Sequence, residues 1–227
     1  MVPRKHLQYG NMYQTDKYVR LRFETYMSLL SHRLKKGTRI LDIGCYVADF
    51  LKILPPYVDY YGIDIDTEAL KIANNRGAHI VYANLESRLP FRSKFDVIIA
   101  TEVLEHLKDP EKLMLQIRLL LDRNGVVLFS LPNECTLYHR IKVLFGKSID
   151  GTGFSPNYHL HFPTIAQSRR FVGKHFKIVA ERYWIHVGVG GEVERFLSMI
   201  PEKFWIEVAN LFPSLFARGV VFLCEKA

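Results

Sequence analysis

The sequence predicts a doubly wound α/β fold, a three-layer αβα sandwich around a mostly parallel sheet, and three observations carry that reading. Apolar runs of strand length recur at Arg39–Ile43, Asp59–Asp64, His79–Ala83, Phe95–Ala100 and Val126–Leu131. Segments with helical spacing of apolar residues separate most of them. The runs are continuous and not alternating, as in Val97-Ile98-Ile99-Ala100, which is the pattern of strands buried on both faces. Short right-handed crossovers between such strands put helices on both sides of the sheet.

The elements follow in order. Before Asp16 the chain is polar and aromatic without a period. From Asp16 to Arg33, Val19, Phe23, Tyr26, Met27 and Leu30 recur at three-to-four spacing and mark an amphipathic helix, which Lys36-Gly37 ends. After the first strand a helix is expected near Val47–Leu54, stopped by Pro55-Pro56. Asp66 caps a helix over Thr67–Asn75, and Asn75-Arg76-Gly77 closes it. Asp109 and Pro110 open a helix that runs to Leu121. Asn124-Gly125 reads as a turn into the next strand.

Beyond Pro132 the pattern is less regular. It holds a helical piece over Leu137–Phe145 and a Gly/Pro/His-rich loop over Gly151–Pro163. Thr164 caps a helix to about His175, followed by strand Phe176–Trp184. Gly188–Gly191 reads as a flexible link, Glu192–Met199 and Glu202–Leu211 as helices, and Gly219–Cys224 as a last strand. A chain of 227 residues in this order suits a single domain over 1–227. That domain has a helical arm over 1–36 and insertions near 132–163 and 188–216.

A composition 48% hydrophobic and 24% charged excludes a disordered or low-complexity chain. Cys45, Cys135 and Cys224 lie far apart with no CxxC spacing, so neither a disulfide framework nor a zinc knuckle is indicated. A reducing, cytoplasmic setting is the expectation. The start, Met1-Val2-Pro3-Arg4-Lys5-His6, lacks the apolar core of a signal peptide. The longest apolar candidate for a membrane span, Phe204–Leu223, is broken by Glu207, Asn210, Pro213 and Arg218. Net charge is +8, with basic clusters at Arg33-Lys35-Lys36-Arg39, His139-Arg140-Lys142-Lys147 and Arg169-Arg170-Lys174-Lys177. Such clusters favour anionic partners or are simply a solvated basic surface, and the second reading comes first.

One stretch narrows the chemistry. Ile40-Leu41-Asp42-Ile43-Gly44-Cys45 takes an apolar run into an acid and a glycine, and Tyr61-Gly62-Ile63-Asp64 ends a second run in a carboxylate. This is the layout of a βαβ nucleoside-binding unit. The glycine lets backbone approach the ligand, and the second acid can accept both ribose hydroxyls. Further on come Phe95-Asp96-Val97-Ile98-Ile99-Ala100-Thr101-Glu102-Val103-Leu104-Glu105-His106-Leu107 and Asn124-Gly125-Val126-Val127-Leu128-Phe129-Ser130-Leu131-Pro132-Asn133.

With these four segments in this order, the chain resembles the class I S-adenosylmethionine-dependent methyltransferases, in the broad group of ubiquinone-pathway O-methyltransferases. The resemblance is strong from Arg39 to Asn133 and weaker through His159–Tyr183 and Pro213–Lys226. It implies a Rossmann-like sheet of seven strands with one antiparallel strand, and S-adenosyl-L-methionine as cofactor. Carried onto this sequence, Gly44, Cys45 and Tyr46 would hold the methionine end and Asp42 would order that loop. Asp64 with Ile65 would take the ribose, Asn84 and Leu85 the adenine, and Thr101 and Glu102 the methionyl backbone and its loop. The family usually has Gly-x-Gly-x-Gly, where this chain has Gly44-Cys45-Tyr46-Val47-Ala48. A bulky residue at position 46 makes a positive φ costly, so either the Tyr46 ring turns outward from the loop to flank the ligand or the residue marks a site that has lost its cofactor.

Methyl transfer from a sulfonium mostly requires aligning a nucleophile, with a base where the acceptor must lose a proton. His106, just past the fourth strand, is the candidate base; its bland alternative is a histidine that positions the next helix. His159 and His161 could reach the same mouth, although alternate spacing more often puts such histidines on one side of a strand or loop. Glu102, Glu105 and His106 could alternatively hold magnesium, as similar sets do in some relatives; no metal is the first expectation. Tyr9, Tyr13, Tyr18, Phe23 and Tyr26 could cover the site. Phe196, Phe204, Trp205, Phe212 and Phe216 are expected to be buried, with an apolar acceptor pocket, a homodimer surface or a lipid-facing patch as alternatives.

Three functions compete. The first is transfer to a small-molecule acceptor, anionic or apolar, at oxygen before nitrogen or carbon. The second is an RNA methyltransferase, and the third a non-catalytic binding protein on the same fold. Nucleic acid is the less favoured partner, because the basic clusters lie on several elements.

Overall fold

A computed structural model gives the architecture and describes residues 17–149, 159–184 and 201–227. Seven strands, β1 (Arg39–Ile43), β2 (Asp59–Asp64), β3 (His79–Tyr82), β4 (Phe95–Thr101), β5 (Leu121–Pro132), β6 (Phe176–Trp184) and β7 (Gly219–Lys226), form one sheet. Their order is β3-β2-β1-β4-β5-β7-β6. β1 pairs in parallel with β2 and β4, β2 with β3, and β4 with β5; β7 alone runs antiparallel to its neighbours, β5 and β6. The expected sandwich with one reversed strand is therefore present. Strand order changes direction between β1 and β4, and in open α/β sheets that switch point leaves a crevice beyond the strands' carboxyl ends.

The flanking helices are α1 (Lys17–Leu30), α2 (Thr67–Asn75), α3 (Pro110–Leu120), α4 (Leu137–Leu144), α5 (Ile165–His175), α6 (Glu202–Leu211) and α7 (Pro213–Phe216). Alternate residues of each central strand feed opposite cores. Leu41, Ile98, Val127 and Phe129 join Leu113 and Ile117 of α3 and Val172 of α5. Ile40, Val97, Ile99 and Leu128 join Tyr26 and Leu30 of α1 and Ala73 of α2. This two-sided burial is the physical reason the strands read as unbroken apolar runs. Each fully buried Leu or Ile contributes about 1.5–3 kcal/mol, so the strand tips are held on a rigid platform.

The caps are where the sequence places them. The Asp66 carboxylate accepts the N–H groups of Glu68 and Ala69, and that of Asp109 accepts the N–H of Lys112. Thr164 and Gln167 form a reciprocal capping box on α5.

Two elements differ from expectation. The helix expected over Val47–Leu54 is a short 3₁₀ segment, Asp49–Ile53. Ala48 before it lies in the left-handed region at φ 53°, and Pro55 follows closely, so no full α-turn can propagate between them. Asn124-Gly125 is no turn between elements but lies inside β5, where the pairing register with β4 shifts between Phe95 and Val97. The strand bulges there, with the N–H of Asn124 bonded to the Asp122 carboxylate at 3.2 Å. The link Gly188–Gly191, the helix expected over Glu192–Met199, Phe196, Tyr9, Tyr13 and most of the Gly151–Pro163 loop lie outside the described residues. Among the described residues no helix is long and apolar enough to cross a membrane.

Candidate functional site

A cavity of about 590 Å³ opens where β1, β2 and β4 end. Its walls include Asp42, Gly44, Cys45, Tyr46, Asp64, Ile65, Asn84, Leu85, Thr101, Glu102 and His106, so the structure brings together every candidate cofactor residue and the candidate base. Val19, Arg22, Phe23 and Tyr26 of α1 and His159 from the acceptor side complete it.

The turn after β1 is pinned to β2. The N–H groups of Gly44 and Cys45 both donate to the Ile63 carbonyl, at 2.8 and 3.1 Å, and the N–H of Tyr46 donates to Asp64 Oδ2 at 2.9 Å. Those donors are used up, so the turn offers no anion cradle of the dinucleotide-binding kind. Gly44 itself is required: φ is +74°, and a Cβ would stand 2.6 Å from Cγ2 of Val103. Tyr46 at φ 48° and Ala48 at φ 53° share the left-handed conformation. The backbone of three glycines is thus kept by one glycine and two residues for which it costs about 1–2 kcal/mol each. Arg76 from the end of α2 stabilises that shape, binding the Val47 carbonyl and, at 2.9 Å, the Asp49 carboxylate. The Tyr46 hydroxyl is buried and the residue lines the cavity, so the ring does not turn out to water.

The two strand-tip acids are in different states. Asp64 Oδ1 accepts the N–H of Asp66 at 2.9 Å, and Oδ2 that of Tyr46, which leaves one lone pair on each oxygen facing the site. Asp42 is buried and accepts the Tyr60 hydroxyl. Desolvation raises the Asp42 carboxyl to about 7, with the Tyr60 hydrogen bond working against the rise and the charge of Asp64 adding to it. Burial also pushes the Cys45 thiol far above its ordinary value, which makes it a packing residue and not a nucleophile.

Glu102, at φ 54°, closes β4. Its N–H donates to the Ser130 carbonyl, its Oε1 accepts the Ser130 hydroxyl, and its Oε2 lies 3.4 Å from Arg22. The Tyr26 hydroxyl donates to Ser130 Oγ at 3.1 Å, tying α1 to the tip of β5. Sequence reasoning missed Arg22 and Ser130 as site residues. The available signal was a lone hydroxyl, Ser130, inside an otherwise apolar strand.

Glu105 does not face the cofactor side. It is fully buried and borders the acceptor end, with Oε1 4.0 Å from His106 Nε2 and 3.9 Å from His159 Nε2. Neither Glu105 oxygen has a hydrogen-bond partner among the described residues. Desolvation, with the charges of Glu102 and Glu134 added, holds its carboxyl well above the usual carboxylate range. Among the described residues the set within metal-bridging reach is Glu105, His106 and His159, ligand atoms all within 4.8 Å of one another; it shares Glu105 and His106 with the alternative set named from the sequence and has His159 where that set had Glu102. Protonation of Glu105 or a cation shared with the two imidazoles would each satisfy it.

His106 and His159 meet edge to face, ring centroids 4.8 Å apart. His159 Nδ1 lies 2.8 Å from Glu134 Oε1, and His139 approaches the other Glu134 oxygen at 3.9 Å. Burial works to raise the Glu134 carboxyl, but the His159 hydrogen bond and the positive groups nearby outweigh it and leave it below its ordinary value. His161 goes elsewhere: its Nε2 bonds the Leu107 carbonyl at 2.8 Å, so the two alternate histidines do not act together. Phe23 and Tyr26 both line the cavity and pack on Phe50. In the C-terminal region, contrary to the expected burial, Phe204 of α6 and Phe212 just past its end are about half exposed.

An open, mostly parallel seven-stranded sheet with this cavity at its switch point is the architecture of the class I S-adenosylmethionine-dependent methyltransferases. A sequence profile described as a methyltransferase domain matches residues 15–184, and the chain belongs to that family. Among solved structures it is similar to the N-methyltransferase NodS of Bradyrhizobium japonicum in complex with S-adenosyl-L-homocysteine, with a TM-score of 0.62 at 15% identity over 95% of this chain and 91% of that one. It is also similar to magnesium protoporphyrin IX methyltransferase from Synechocystis with the same product bound, with a TM-score of 0.61 at 15% identity over 92% and 84%. Likeness at that identity establishes the fold. Among curated proteins it is 34% identical over 116 residues to the ubiquinone biosynthesis O-methyltransferase of Paraburkholderia phymatum, covering 46% of this chain and 48% of that protein. An uncharacterized protein of Methanocaldococcus jannaschii is 31% identical over 48% of this chain and 51% of its own length. The chain spans about half the length of these curated relatives.

Proposed function

We propose that this protein moves the methyl group of S-adenosyl-L-methionine to an oxygen of a small, uncharged acceptor. The observation that supports this most is the meeting, in one cavity, of the strand-tip residues and the His106–His159 pair. When bound, S-adenosylmethionine would supply a methyl group on a positively charged sulfur, an electrophile that needs alignment more than activation.

Asp64 would hold the ribose hydroxyls through its remaining lone pairs. Asn84, Leu85 and Ile65 would enclose the base, and Tyr46 would flank the ligand. Gly44, Cys45, Asp42 and Thr101 would hold the amino-acid end, where a cationic ammonium would draw Asp42 into its ionised form. Glu102, fixed by Ser130 and Arg22, would keep the adjoining loop in place. His159 is oriented by Glu134, which engages Nδ1 and leaves Nε2 to accept the proton of an acceptor hydroxyl, beside His106.

The lining favours a neutral acceptor over an anionic one. Among the described residues, Asp42, Asp49, Asp64, Glu86 and Glu102 face the cavity against one guanidinium, that of Arg22, so a phosphate backbone would meet carboxylates. The non-catalytic reading rested on Tyr46, and the retained positive φ there removes its motive. The curated O-methyltransferase relatives support oxygen as the acceptor atom.

The test is incubation of the protein with methyl-labelled S-adenosylmethionine and a panel of phenols, alcohols, amines and short RNAs. Label on a phenol or alcohol oxygen is expected. Label confined to amines or RNA would overturn the acceptor assignment, and no binding of S-adenosylhomocysteine would overturn the enzyme.

A further inference from the structure

Glu105 also borders a second cavity, of about 470 Å³, which methyl transfer as described above does not use. Its walls come from Leu104, Leu131 at the end of β5, the strip Leu160–Pro163, and Ser168 and Phe171 of α5. The floor is closed, with Leu104, Leu131 and Ser168 buried. The rim is open and apolar: Leu160 is 54% and Phe162 39% exposed.

Ser168 is the informative residue. Its hydroxyl is buried, at 2% exposure for the residue, and has no hydrogen-bond partner among the described residues. A serine within a helix points its hydroxyl to solvent or turns it back to the carbonyl one turn earlier. Here the Thr164 carbonyl accepts the Ser168 N–H at 2.9 Å and the hydroxyl is left out. A buried, unpaired hydroxyl carries a desolvation cost that an alanine at the same place would not incur. A ligand oxygen would recover that cost, and its apolar body would cover Leu160 and Phe162. Among the described residues no lysine or arginine lines the cavity and the Glu105 carboxyl does, so the lining disfavours a carboxylate or phosphate.

We propose that this cavity is a second binding site, for a small apolar molecule carrying one hydroxyl or carbonyl oxygen, with that oxygen paired to Ser168. A chamber of a few hundred Å³ with a mainly apolar wall and a few placed polar groups, here Ser168 with Glu105, His161 and Gln167, is the usual build of a small-molecule site.

The probe is 2-naphthol, with 2-methylnaphthalene as the analogue lacking the oxygen, titrated by calorimetry into the full chain saturated with S-adenosylhomocysteine. Saturable binding of 2-naphthol is expected, and the site assigned to this cavity is the one that responds to Ser168→Ala, whether or not a further molecule sits at the acceptor end beside His159. Ser168→Ala, which loses no internal hydrogen bond and should fold with undiminished stability, is expected to weaken 2-naphthol about fivefold and leave 2-methylnaphthalene unchanged. Phe162→Ala, at the exposed rim, should weaken both. Displacement of 2-naphthol by S-adenosylhomocysteine, indifference to Ser168→Ala, or no saturable binding would each overturn the proposal. If S-adenosylhomocysteine itself fails to bind, the methyltransferase reading falls, while the same titration on the bare chain still decides this one.

Discussion

The walls supplied by the tips of β1, β2 and β4 and the wall supplied by His106 and His159 meet in one cavity, yet they are held in different ways. On the cofactor side, backbone does the holding. Gly44, Cys45 and Tyr46 hang their N–H groups on the end of β2, and Asp64 is fixed by two of its own neighbours. On the acceptor side, side chains hold one another: Glu134 orients His159, His159 meets His106, and the Glu105 carboxyl lies beneath both without a hydrogen bond among the described residues. Backbone-anchored geometry follows from strand packing and resists most substitutions. A side-chain relay can change partners with a single replacement. The difference explains how one fold keeps its cofactor chemistry while its acceptor varies.

The largest expected effect tests the buried acid of the first region. Asp42 has a folded value of about 7 against an ordinary 3.8, so the native state keeps its proton after the unfolded chain has lost it. Stability from this group is full below pH 3.8 and is lost as pH rises through 7, a fall of roughly 4 kcal/mol. Denaturation curves between pH 4 and 8 should converge with those of Asp42→Asn in acid and separate by that order near neutrality. Parallel curves would show that Asp42 is not desolvated.

Backbone strain offers the next contrast. Gly44→Ala must place a Cβ 2.6 Å from Val103 at φ +74°, and should cost about 2–4 kcal/mol in urea unfolding. Ala48→Gly relaxes the same conformation at φ 53° and should be neutral or gain up to about 1 kcal/mol. Equal losses at both positions would mean that the turn is not held in the left-handed region.

The acceptor side should respond in rate and not in cofactor affinity. His159→Ala is expected to lower kcat about a hundredfold, and Glu134→Ala about tenfold, with binding of S-adenosylhomocysteine unchanged in both. A comparable loss of product binding would place these residues on the cofactor side. Activity abolished by a chelator and restored by a divalent cation would assign Glu105, His106 and His159 to a metal.

The same contrast governs how much could be read from the sequence. Strands buried on two faces leave unbroken apolar runs, so their tips, and the residues from Asp42 to Glu102 that sit on them, were legible. Caps such as Asp66 and Thr164 were legible because one side chain serves its own helix. What escaped depends on partners distant in the chain. Nothing local marks Arg22 as the partner of Glu102, and only an isolated hydroxyl marked Ser130. Alternation suggested that His159 and His161 share a side, but the loop bonds Leu160 and His161 N–H groups to the Glu105 carbonyl and sends the two rings to different surroundings. Tyr46 looked incompatible with a positive φ because the energy that tolerates it comes from Arg76 and Asp64, which no spacing rule connects to it.

Calorimetric titration of S-adenosylhomocysteine into wild type and Asp64→Ala tests the central claim most directly. Two hydrogen bonds to a carboxylate are at stake, so the account predicts one site per chain in wild type and affinity at least a hundredfold weaker in the variant. Equal affinity in the two proteins, or no binding to wild type, would contradict it.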